Sequence, residues 1–136
     1  MEWQKLVESP DVIHWNNGIW DCYRLYGAKE AFTPLNDYIR DMLLLHDQLK
    51  VTGARIIFAT TTPVLDGCEV VRNEDIDLYN EAIVKRLQER GVEIHDLNAV
   101  IRRDASRYIQ SEDKLHLTDE GYQVAGQAVA TLLGRN

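Results

Sequence analysis

Short, nearly continuous apolar runs alternate along this chain with longer segments whose apolar residues recur every three or four positions. That alternation restricts it to a parallel sheet covered by helices, because a strand, a long helical crossover and another strand make a right-handed βαβ unit. Residues 11–15 (Asp-Val-Ile-His-Trp) form the first apolar run, after Ser9-Pro10. Thr33-Pro34 reads as a helix start, with Thr as N-cap and Pro at the first helical position. Leu35, Ile39, Met42, Leu43, His46 and Leu49 then fall at helical spacing until Gly53. Residues 54–60 are a β-branched run of the kind that is buried on both faces. A second helix is expected after Asn73, with an inward stripe of Ile76, Tyr79, Ile83 and Leu87 and Gly91 just past its end. A third short strand is expected at residues 92–95 and a short helix at 97–105, followed by a polar loop over 106–117. A last helix is expected from Thr118, with Tyr122, Ala125, Val129 and Leu132 facing inward. The fold class is therefore α/β, with helices on both faces of a parallel sheet.

Composition narrows the partners. With 45% hydrophobic and 27% charged residues, the chain is that of an ordinary globular protein, and residues 1–136 are read as a single domain. A net charge of −7 argues against nucleic acid, and the adjacent basic residues are confined to two separate pairs, Lys85-Arg86 and Arg102-Arg103. No apolar run approaches a membrane span, and the opening Met-Glu-Trp-Gln-Lys-Leu-Val lacks the features of a signal peptide. Cys22 and Cys68 have neither disulfide nor metal-ligand spacing, so a cytoplasmic, reducing location is expected. His14, His46 and His95 have no ligand partners at useful spacing, so neither a metal nor another cofactor is expected. Three strands are few for a parallel sheet, so one or more strands are expected upstream of Met1. The first strand's exposed edge is a surface through which the chain can associate with another copy.

In open parallel sheets the ligand crevice lies beyond the carboxyl ends of the strands. Three polar stretches converge there: Asn16-Asn17-Gly18, Thr60-Thr61-Thr62-Pro63, and the loop carrying Asp113 and His116. A histidine and an aspartate three residues apart suit a general base and the carboxylate that fixes its tautomer. A solvated loop aspartate beside a histidine near a helix start is the simpler account of the same spacing. Asn16 and Asn17 can donate side-chain amide hydrogen bonds to an oxyanion, worth about 3 kcal/mol per donor. Asn before Gly is also ordinary turn chemistry. Trp15, Trp20, Tyr23 and Tyr26 crowd the same turn, either as a sugar-stacking wall or as cover for the sheet edge.

Together these segments resemble the C-terminal part of the SGNH hydrolase superfamily, the GDSL-type lipases and esterases. Asp113-Lys-Leu-His116-Leu-Thr-Asp-Glu-Gly-Tyr122 is similar to the family's last block, and residues 12–21 to its third block, a strand followed by Gly-x-Asn-Asp. The resemblance implies a flavodoxin-like three-layer fold and hydrolysis of a small-molecule carboxylic ester, such as an acetyl ester of a carbohydrate. It implies His116 as base, Asp113 as its orienting partner, and Asn16 or Asn17 as the oxyanion donor. Two departures stand out. The family's first two blocks, with the nucleophilic serine and an oxyanion glycine, have no counterpart, and Ser9, Ser106 and Ser111 lie in other contexts. Trp20 occupies the position of the family's oxyanion asparagine. The chain alone is therefore expected to hydrolyse esters little or not at all. The alternative is a catalytically inactive binding module, or a truncated pseudo-enzyme, of the same fold.

Overall fold

The computed structural model describes residues 9–134, so the reading of residues 1–7 lies outside the described residues. Three strands, β1 (Val12–Trp15), β2 (Arg55–Ala59) and β3 (Glu93–His95), form one parallel sheet in the order β1-β2-β3. Helix α1 (Leu35–Leu49) connects the first pair and α2 (Asn73–Glu89) the second. Both crossovers step the same way across the sheet, so right-handed connections place both helices on one face. The register agrees: Trp15 lies opposite Phe58, and Phe58 opposite Ile94. These residues pack with Tyr38, Met42 and Leu49 of α1 and Ile76, Tyr79, Ile83 and Leu87 of α2. Trp15 meets Phe58 edge to face, with ring centroids 5.1 Å apart.

The other face carries His14, Ile57, Ala59, Glu93 and His95. It is approached by α3 (Leu97–Arg102), α4 (Ala105–Tyr108) and α5 (Asp119–Leu133). Cover here is thinner. A cavity of about 440 Å³ separates His95 from Val100, Val124, Ala128 and Leu132. On this same face His14 Nε2 lies 2.9 Å from His95 Nδ1, and burial lowers the pKa of both imidazoles.

The inward stripe of α2 is buried as expected, and Gly53 and Gly91 take left-handed conformations at φ 75° and 77° to end their helices. Three expectations are corrected. The α1 cap is Pro34, with φ −55° and ψ 141°, not Thr33; the carbonyl of Thr33 instead accepts a hydrogen bond from Tyr79. The segment 106–117 is not simply a polar loop. It begins inside α4 and is closed by an antiparallel bridge between Ile109 and Leu117, with Ile109 buried. On α5 the inward face is rotated. Gly121 is its one buried residue, Ala125, Val129 and Leu132 are half-buried, and Tyr122 is 56% exposed. Tyr122 turns outward because Gly121, one position earlier, fits against the carbonyl of Tyr108, where no side chain can. No helix among the described residues is long and apolar enough to cross a membrane.

Candidate active site

Asp113 and His116 meet because the chain between them is a tight turn that the aspartate itself builds. Asp113 Oδ1 accepts the backbone N–H groups of Leu115 at 2.9 Å and His116 at 3.0 Å, and Lys114 sits in the left-handed region at φ 60°. The second oxygen lies 2.5 Å from His116 Nδ1. A carboxylate only accepts, so Nδ1 carries a proton, and it is the neutral tautomer with its lone pair on Nε2 that this contact selects. The turn is closed at its base by Gln110 N–H on His116 O (2.8 Å) and Thr118 N–H on Tyr108 O (2.9 Å). The Thr118 hydroxyl caps α5 through Gly121 N–H, as expected for an N-cap threonine. From the segment after β2, Leu65 N–H donates to Lys114 O at 2.9 Å and anchors the turn to the sheet.

Hydrogen bonds from Leu115 first, and then the His116 side chain, hold the Asp113 carboxyl down at about 2. A pKa depressed in the folded state means the stabilisation is full above the unfolded value of about 3.9 and is lost as pH falls through about 2. The expected result is a carboxyl-carbon NMR titration of Asp113 with its midpoint near 2, accompanied by release of the Leu115 and His116 amides. A midpoint at the ordinary aspartate value would contradict this geometry.

His116 lines a cavity of about 310 Å³ with Asn16, Ile19, Trp20, Tyr23, Thr61, Thr62, Leu115, Leu117 and Tyr122. Of the two candidate asparagines, Asn16 is therefore brought to the histidine. Asn17 is not in that lining. It faces a neighbouring cavity with Ile13, His14, Leu45 and Leu49, and its Oδ1 accepts from Trp15 Nε1 at 2.7 Å. Asn16 Nδ2 donates to Ala59 O at 2.7 Å and to Thr61 Oγ1 at 3.2 Å, which fixes its amide at the carboxyl end of β2. Gly18 permits this approach, since a Cβ there would stand 2.3 Å from Thr61 Oγ1.

Sequence reading missed the groups that hold Thr61. Asn80 brackets it, accepting from Thr61 N–H and donating to Thr61 O, both at 2.9 Å; Asn98 Nδ2 adds a bond to the same oxygen at 2.8 Å. Asn73 brackets Val64 in the same way, at 3.0 and 2.9 Å. A signal for Asn80 was present: it interrupts the apolar stripe of α2 at a buried position. No serine among the described residues lines the cavity, and Ser106 Oγ is bonded to Asp104 instead. No group of three or more His, Cys, Asp or Glu side chains suited to a metal occurs among the described residues.

A flavodoxin-like parallel sheet with an aspartate-buttressed histidine beyond its carboxyl edge defines the class of protein to which this chain is related. The chain belongs to the GDSL-like lipase/acylhydrolase family, whose model matches residues 2–124. Among solved structures it is similar to an alpha/beta hydrolase enzyme from the metagenome of Lake Arreo, Spain. That match has a TM-score of 0.77 at 20% identity and covers 98% of this chain and 65% of that one. An acetylxylan esterase from Geobacillus stearothermophilus matches with a TM-score of 0.78 at 20% identity, covering 99% and 65%. The lipase/acylhydrolase from Enterococcus faecalis matches with a TM-score of 0.77 at 16% identity, covering 97% and 66%. The comparison with curated proteins returned no match. The chain thus spans about 65% of the length of these structures, and identities this low establish the shared fold.

Proposed function

We propose that this chain carries the general-base half of a GDSL-type ester hydrolase site. The substrate is a carboxylic ester, in the first instance an acetyl ester of a carbohydrate. The observation that carries this reading is the cavity into which both His116, held at Nδ1 by Asp113, and the Asn16 amide open. Family membership and likeness in fold to an acetylxylan esterase support it.

In this scheme His116 Nε2 takes the proton from a serine hydroxyl as its oxygen attacks the ester carbonyl. Asp113 keeps the imidazole in the required tautomer and stabilises the imidazolium. The carbonyl oxygen becomes an oxyanion and receives an N–H of Asn16, which gives up its longer 3.2 Å bond to Thr61. The imidazolium then returns its proton to the leaving alcohol, and water repeats the cycle on the acyl group. The nucleophile comes from outside the residues that line the cavity.

Methanol, the side chain of serine without its backbone, is the direct probe. Nitrophenol release from 4-nitrophenyl acetate is expected to rise with methanol concentration. The methanol-dependent slope should be at least about a hundredfold larger than in His116→Ala, the low end of general-base catalysis. Equal slopes in the two proteins would overturn the assignment. That no serine among the described residues lines the cavity favours a second reading, a binding module of the same fold that also pairs through β1, an edge strand among the described residues. That reading requires ligand binding to survive replacement of both Asp113 and His116 by alanine.

A further inference from the structure

We infer that Trp20 is the stacking platform for a neutral sugar ring in the alcohol portion of the substrate, and so a specificity-determining residue of this site. The inference rests on the proposed ester chemistry. The Trp20 indole is 70% exposed although it lines the same cavity as His116. Removing an indole from solvent is strongly favourable, so a large aromatic left open beside a site is a binding surface in waiting.

The ring is also held still. Tyr23 stacks against it with centroids 4.9 Å apart and planes 26° from parallel. The turn carrying both rings is anchored on either side. Cys22 is fully buried, Cys22 N–H donates to Gly18 O at 3.0 Å, and Arg24 N–H donates to Val70 O at 2.7 Å. The Arg24 guanidinium grips both oxygens of Asp75 at 2.8 and 3.0 Å, with both side chains largely out of solvent. A pre-positioned flat face loses little conformational freedom when a ligand stacks on it.

The rest of the lining defines the ligand. The lining contains no Asp, Glu, Lys or Arg, so no carboxylate, ammonium or guanidinium there selects a charged ligand. Asn16, Thr61 and Thr62 supply amide and hydroxyl groups to the same lining as Trp20 and Tyr122, the latter 56% exposed. An apolar ring face bordered by neutral hydrogen-bonding groups matches a sugar, whose C–H face is apolar and whose rim is hydroxyl. An ester on that rim reaches His116 without leaving the platform.

The test separates binding from chemistry. Unacetylated xylotriose and cellotriose are titrated into the protein, with calorimetry and the Trp20 indole N–H resonance as readouts. At least one trisaccharide should bind. Binding should weaken at least about tenfold in Trp20→Ala and be partly restored in Trp20→Phe, a typical cost for a lost stacking partner. Far-UV circular dichroism checks that the exposed substitution leaves the fold unchanged. No binding of either sugar, or equal binding in Trp20→Ala, overturns the platform while leaving the base assignment to the methanol assay. Sugar binding together with equal methanol slopes would retain the platform and overturn the base.

Discussion

Replacing Gly121 with alanine should destabilise this protein by about 3 kcal/mol, combining overpacking against backbone with loss of a helix cap. The added Cβ would stand 2.2 Å from the Tyr108 carbonyl oxygen, 3.1 Å from its carbon and 3.2 Å from Leu117 Cβ. Backbone cannot swing aside as the end of a flexible side chain can. The same Tyr108 oxygen accepts Thr118 N–H, and the Thr118 hydroxyl accepts Gly121 N–H, so any retreat of α5 breaks the contacts that start the helix. Urea denaturation is the measurement, and a loss below about 1 kcal/mol would show that α5 slides without cost.

Asn80→Ala should cost about 2–3 kcal/mol, because it strips Thr61 N–H of its partner in a buried setting. The carbonyl of Thr61 is less affected, since Asn98 still serves it. The functional consequence lies one step further on. Thr61 Oγ1 helps fix Asn16, so loosening Thr61 loosens the amide at the mouth of β2. A double-mutant cycle pairing Asn80→Ala with Asn16→Ala should show a coupling of at least about 0.5 kcal/mol. Additive effects in that cycle would mean that Asn16 is held by Ala59 alone.

How much of this was legible in the sequence depended on whether a feature is local. The α2 stripe was legible because Ile76, Tyr79, Ile83 and Leu87 all meet one continuous core, and 3.6-residue spacing predicts a single covered face well. On α5 the same reasoning placed Tyr122 inward. That helix packs over a cavity rather than a filled core, so hydrophobicity alone did not decide which residues turn in. Residues 106–117 read as loop because most are polar, and nothing local marks Ile109 and Leu117 as bridge partners. Asp113 and His116 were legible as a pair since three residues of chain keep them close. The choice between Asn16 and Asn17 was not, because both follow a strand whose side-chain alternation ends before them. The Asn80 and Asn98 clamps bind backbone 19 and 37 residues away, and the place of Asn80 in an apolar stripe was their only trace.

The turn that joins Asp113 to His116 takes its geometry from its own covalent neighbourhood, whereas Asn16 is placed by the ends of two strands and two distant asparagines. The two halves of the site thus have different fates under mutation. The imidazole–carboxylate unit is portable: its internal geometry is set by its own hydrogen bonds, while the Leu65 bond to Lys114 sets only where it docks. The amide opposite it is communal, and every change that disturbs the sheet moves it. Within this architecture the proposed proton-handling unit is the conservative component, and the groove proposed to select what is brought to it is the adjustable one.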